Sequence, residues 1–317
     1  MNINYEMKNF LNKLALVSLD NCHDKLAGML FKILATVFKD ERTLCNYATF
    51  LYRCCWHPEF SKKSMRKIFN LYKESIRIDL TNTNAYAMMG NLYWECQDYK
   101  RAENCYQKAI IYLPDEEAGF VFWNLGITQI YLQYYEKAYH VLRKFLKTYP
   151  DLIERKLSYE NFYSVIIYCL YRLKGNERYK RRISLNCKEF KEKVPVVLEP
   201  VSLIVYYMLG DYKTICENVE LVKQDWAISK YLFLLVMSSL LEENKIEETN
   251  AFYNYCKENE CEKIHVYNKN YFRLLVNKNS ELIKDEIITG FIRDDVIQNG
   301  IISFDLFYRE LNYNLSF

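Results

Sequence analysis

Two stretches of this sequence repeat one pattern 36 residues apart, NAYAMMGNLYWECQDYKRAENCYQKAIIYLPD from Asn84 to Asp115 and FVFWNLGITQIYLQYYEKAYHVLRKFLKTYPD from Phe120 to Asp151. Gly90, Ala102 and Pro114 return as Gly126, Ala138 and Pro150. Small residues at matched places in a fixed period mean paired helices that pack side by side, one pair per copy. The spacing predicts that Gly90 and Ala102 face each other across a turn near Gln97 and Asp98, where only small side chains let two helix axes approach. The prolines follow the second helices and stop them.

Composition agrees with helices joined by short loops. The 317 residues contain 8 Gly and 5 Pro, against roughly 22 and 16 at average usage. Sandwiches, barrels and dinucleotide-binding folds need more turn glycines than that. The net charge of +3 argues for no nucleic-acid partner by itself. The 11 cysteines are scattered along apparent helices without a disulfide framework, which predicts reduced thiols and a cytoplasmic location. Leu26–Phe38 and Tyr231–Leu241 are the most apolar runs. Both fall short of the about 20 residues of a span, so buried helices and no membrane association are expected.

The two copies resemble tetratricopeptide repeats, a family with a period of about 34 residues. Tyr86, Met89, Gly90, Tyr93, Ala102, Tyr106, Ala109 and Pro114 fill its signature places, and Phe122, Leu125, Gly126, Ala138, Leu142 and Pro150 do so in the second copy. That copy departs at Gln129, where an aromatic is usual, and at Phe145, where Ala is usual. The resemblance implies an all-α fold, a right-handed superhelical solenoid of antiparallel helical hairpins. Upstream, Tyr72 and Ser75 lie 34 residues before Tyr106 and Ala109. The expected organisation is capping helices at 1–40, a divergent hairpin at 41–80, two clear repeats at 81–151, degenerate hairpins at 152–276 and C-terminal capping helices at 277–317, in one continuous stack.

In the family, ligands meet first-helix positions that do not pack on the second helix. Carried over residue by residue, the resemblance implies a peptide- or protein-binding groove formed by Asn84, Met88, Asn91, Trp94, Phe120, Trp123, Asn124, Ile127 and Tyr131. Asn91 and Asn124 occupy the places of the asparagines that clamp a carboxyl terminus in some members. Ala87, Phe162 and Ile166 stand where the clamp's basic residues would be, so an extended or helical segment with apolar anchors is the expected ligand rather than a free carboxylate.

A basic run, Arg178, Lys180, Arg181 and Arg182, offers an electrostatic patch. It lies in a segment, 172–193, with nine basic and three acidic residues, while 242–262 has seven acidic and two basic. Cys54, Cys55 and His57 are the nearest thing to metal-ligand spacing, and adjacent ligands at a helix end converge poorly on one ion. No catalytic residue, cofactor or metal site is predicted, and no small-molecule ligand. The leading reading is a protein–protein interaction module, a scaffold or adaptor with a protein or peptide partner. A peptide-responsive bacterial-type regulator, a nucleic-acid-binding helical-repeat protein and an enzyme with a noncontiguous helical site are the alternatives, and a homodimer is compatible with each of these readings.

Overall fold

The computed structural model describes residues 3–54, 62–112, 120–151, 153, 159–173, 175, 177–194, 202–224, 228–259 and 280–297. These residues are helical or in turns, with no strand among them. They fall into two compact units that part between Leu132 and Gln133.

The described residues of the first unit form seven helices: α1 Ile3–Asp20, α2 Asp24–Val37, α3 Glu41–Cys54, α4 Lys62–Ile78, α5 Thr83–Glu95, α6 Tyr99–Ile111 and α7 Phe120–Tyr131. Consecutive helices pack as antiparallel hairpins, each laid against the next, as a repeat array requires. The equivalence read between α4 and α6 is visible in the core. Tyr72 and Ser75 are fully buried like Tyr106 and Ala109. The Tyr72 and Thr49 hydroxyls share a hydrogen bond of 3.2 Å, and the Tyr106 hydroxyl donates to Asn91 Oδ1 at 2.8 Å. Each second-helix tyrosine thus satisfies its buried hydroxyl on a polar residue of its own first helix.

Gly90 does lie at a close approach, but its neighbour corrects the expected one. The three atoms nearest an added Cβ all belong to the Tyr106 ring, at 2.6–3.0 Å, rather than to Ala102. A glycine here lets a large ring, not a second small residue, lie flat against the helix backbone.

The first hairpin has an unusual outer face. Its inner side forms a core around Leu16, Leu30, Phe31 and Leu34 with Phe50 of α3. Met7, Phe10, Leu14 and Val17 of α1, and Leu26, Met29, Ile33 and Val37 of α2, remain exposed. Both sets recur at helical spacing and form an apolar stripe on each helix.

The second unit continues with α8 Tyr135–Thr148, α9 Tyr159–Tyr171, α10 Glu177–Lys193, α11 Leu203–Leu209, α12 Tyr212–Glu217, α13 Val219–Gln224, α14 Lys230–Glu242, α15 Ile246–Glu258, α16 Ser280–Gly290 and a π-helical turn, Phe291–Val296. α12 and α13 are separated at Asn218. Arg143 of α8 pairs with Glu189 of α10 and bonds Asn186. Arg172 of α9 pairs with Asp285 of α16 at 2.9 Å, and Lys284 donates to the Tyr212 hydroxyl at 3.1 Å. No described helix is long and apolar enough to cross a membrane. Pro58, Pro114 and, of the segment 277–317 expected to cap the chain, residues 277–279 and 298–317 lie outside the described residues.

The break between the units falls inside the second repeat copy, the one with the two departures. Each departure has a local partner within its own unit. Gln129 is buried and donates to Glu103 Oε1 of α6 at 3.3 Å. Phe145 is fully buried with its ring 5.8 Å from that of Phe162 on α9.

Candidate functional site

The expected groove residues of the first unit separate into an interior set and an edge set. Met88, Asn91, Phe120, Trp123, Asn124 and Ile127 are buried. Asn84, Trp94 and Tyr131 keep partial exposure.

The two asparagines, expected on an open face, are 2% and 4% exposed, which corrects that expectation of their accessibility. The reason is a three-helix hydrogen-bond node. Asn91 Oδ1 on α5 accepts from the Tyr106 hydroxyl of α6 at 2.8 Å and from Asn124 Nδ2 of α7 at 3.2 Å. A single carbonyl oxygen therefore ties three successive helices together, and its two lone pairs are both used. Burial and neighbouring acidic groups raise the Tyr106 hydroxyl well above an ordinary tyrosine, so it stays a donor at every physiological pH. A second node lies around Glu103, which is 3% exposed. Its carboxylate accepts from Lys100 Nζ at 2.8 Å and from Gln107 and Gln129 side-chain amides at 3.3 Å. The amide signature thus specifies helix spacing here, and the side chains a partner can reach lie further along the same helices.

At the exposed end of α5 three rings meet. Trp94 packs edge-on to Tyr131 of α7, centroids 5.5 Å apart, and to Tyr99 of α6 at 5.7 Å. Tyr99 and Tyr131 lie 5.0 Å apart. All three are partly exposed, and the Trp94 indole Nε1 is buried without a hydrogen-bond acceptor. Sequence reasoning missed Tyr99, because it treated second-helix positions as packing alone. The signal was available: Tyr99 follows Trp94 across the tight turn at Gln97, so both must emerge at the same end of the hairpin.

The basic run of the second unit is divided as well. Arg178, Lys180 and Arg181 are exposed on α10. Arg182 instead lies against two rings, 5.3 Å from Tyr139 and 5.5 Å from Tyr179, with one guanidinium nitrogen buried without a hydrogen bond. Its stacking holds α10 against α8. Among the described residues no group of His, Cys, Asp or Glu has metal-binding geometry. Cys54 is exposed, while Cys55 and His57 lie outside the described residues.

Residues 83–110, the α5–α6 hairpin, match the sequence profile of the tetratricopeptide repeat. Human cilia- and flagella-associated protein 70 is 29% identical over 113 residues, which is 35% of this chain and 9% of that protein. The chain therefore matches only a small part of that relative's length. Among solved structures, PilF of Pseudomonas aeruginosa matches with a TM-score of 0.50 over 80% of this chain and 97% of its own, at 14% identity. A tetratricopeptide repeat protein from Parabacteroides merdae matches at 17% identity over 86% of this chain and 98% of its own, with a TM-score of 0.49. Identities this low speak to the fold alone.

Proposed function

We propose, because the chain belongs to the tetratricopeptide-repeat superfamily, that it is a protein–protein interaction module whose first unit binds a partner segment at the exposed end of α5 and α7. The observation behind this reading is the ring cluster of Trp94, Tyr99 and Tyr131, partly exposed and lying on three consecutive helices. Tryptophan and tyrosine supply large contact area for little lost side-chain entropy, and they dominate binding energy at protein interfaces. The orphan Trp94 N–H offers a donor to a peptide carbonyl after a small rotation of the ring. Asn84 extends the surface toward the start of α5.

In this reading Asn91 and Asn124 act as spacers. They hold α5, α6 and α7 at the separation that brings the rings together, and the partner does not touch them. The test compares affinity capture by the wild-type chain with Trp94→Ala, Tyr131→Ala and Asn91→Ala chains, read by quantitative mass spectrometry beside thermal melts. A partner retained by wild type and lost from Trp94→Ala and Tyr131→Ala at unchanged melting temperature supports the site. Full retention by both ring variants sinks it. Asn91→Ala should lower the melting temperature, since it leaves the Tyr106 hydroxyl and the Asn124 amide short of an acceptor, at about 1–3 kcal/mol.

A further inference from the structure

Outside that ring cluster, the first unit carries an open cleft of about 350 Å³ between α4 and the start of α6. Its floor is apolar, made by Met65, Phe69 and Tyr93, and its rim is cationic, made by Arg66, Lys73 and Arg101. Asn70 also lines it, and no acidic residue is among its described lining residues. Arg101 has Asp98 as an ion-pair partner at 3.3 Å. Arg66 and Lys73 are exposed and have none among the described residues. The helix that supplies them, α4, has six basic residues against one acidic residue in its 17. That surplus exceeds the net +3 of the whole chain. Two of the other cations on α4 are committed elsewhere: Lys67 donates to the Tyr47 hydroxyl at 3.0 Å, and Arg77 pairs with Glu74 at 2.7 Å. Arg66 and Lys73 are left facing the cleft.

We propose that this cleft binds an extended acidic segment of a partner protein, carboxylates on Arg66 and Lys73 and an apolar side chain between them on Met65 and Phe69. The spacing carries the assignment. Arg66 and Lys73 are seven residues apart on one helix, about 10 Å along its axis at 1.5 Å per residue. Carboxylates four residues apart on an extended chain share one face about 13 Å apart, a span that the long Arg66 and Lys73 side chains close. The side chain midway between them lies on the same face and points at the apolar floor. Nucleic acid fits the same charges less well, because stacking needs a free ring face. Phe69 and Tyr93 are packed on each other, centroids 4.7 Å apart, and Arg101 lies 5.7 Å from the Tyr93 ring.

The site is independent of the ring cluster at Trp94, so either can fail without the other. The test is fluorescence anisotropy of the full chain with a labelled Ser-Glu-Glu-Leu-Phe-Glu-Glu-Ser peptide, its Gln-for-Glu counterpart, and a labelled oligothymidine of matched charge. The expected result is saturable binding of the acidic peptide, at least tenfold weaker with the Arg66→Glu/Lys73→Glu chain and weakened by salt near about 0.3 M. The Gln peptide should bind at least tenfold more weakly than the acidic one. Both substituted residues are surface-exposed, and unchanged circular dichroism of the variant shows that the loss is local. Absence of acidic-peptide binding overturns the proposal, and so does equal binding by the variant. Tighter binding of the oligothymidine, lost in the same variant, reassigns the cleft to nucleic acid.

Discussion

At the scale of single residues, the repeat signature marks where backbone and ring share one space. Gly90 sits with its Cα facing the Tyr106 ring, and a methyl group there would lie 2.6 Å from a ring carbon. Tyr106 cannot swing aside, because it is fully buried and its hydroxyl is bonded to Asn91. Overpacking of this kind costs about 1–3 kcal/mol, and alanine returns about 1 kcal/mol of helix propensity. Gly90→Ala should therefore destabilise by up to about 2 kcal/mol, seen as a lower urea midpoint at an unchanged slope. An unchanged or higher midpoint would mean that the ring relaxes freely. The place of Gly90 was legible from sequence, its partner was not. Spacing along a helix tells which face a residue occupies, while the identity of the atom across the gap depends on the axial offset of the two helices. The same limit applied to Asn91 and Asn124. Their type and register were readable, but a donor and acceptor on neighbouring helices satisfy each other when the helices come close enough, and only the assembled hairpins show that they do.

At the scale of elements, the helix ends explain how hairpins with dissimilar sequences adopt a common form. The turns after α1, α5, α11 and α14 place Cys22, Gln97, Gly210 and Asn244 in the left-handed region, at φ of 60°, 58°, 76° and 56°. In each, that residue's N–H donates to the carbonyl three residues back, and the next residue's N–H donates to the one five back. This is the Schellman arrangement, which satisfies the orphan carbonyls of a helix end. Asp98 and Asp211 then accept from Arg101 and Thr214 N–H groups, capping the following helices. Only one of the four left-handed positions is glycine, so the others bear the crowding of a Cβ against the carbonyl. Gln97→Gly should raise stability by about 0.5–1 kcal/mol, the left-handed penalty exceeding the unfolded-state entropy that glycine adds. A thermal melt checks it, and a lower melting temperature would mean that the glutamine stem has packing of its own. These turns were legible where Gly or Asp marked them, as at LGD. At CQD and ENK the turn itself was readable, but which residue takes the left-handed conformation was not, since glutamine and asparagine there look like any polar loop residue.

At the scale of the whole molecule, the core is rich in tyrosines and thiols kept neutral by burial. Desolvation pushes the Cys45 and Cys105 thiols up to about 12 and Cys187 to about 11. Tyr163 is raised to about 12, by burial first and then by the Glu189 charge. The unfolded chain releases each of these protons at a lower pH than the folded chain does. The stability they contribute is therefore complete below about pH 9, and it declines as pH rises toward about 12. Melting temperatures measured from pH 8 to pH 11 should fall through the upper half of that range, and a flat profile would show that the groups are hydrated in solution. The all-helical class was readable from the sequence along nearly its whole described length. The break between Leu132 and Gln133 was not, because no proline, glycine or charge run marks it. It lies instead in a repeat whose two departures, Gln129 and Phe145, each serve a neighbour inside its own unit.

The left-handed turns also bear on how such a chain changes over generations. A bend held by backbone hydrogen bonds needs no particular letter in the sequence, so drift can erase the recognisable residues while the angle between helices is inherited intact. Residues 83–110 match the family profile, and the turn at their centre recurs after α1, α11 and α14.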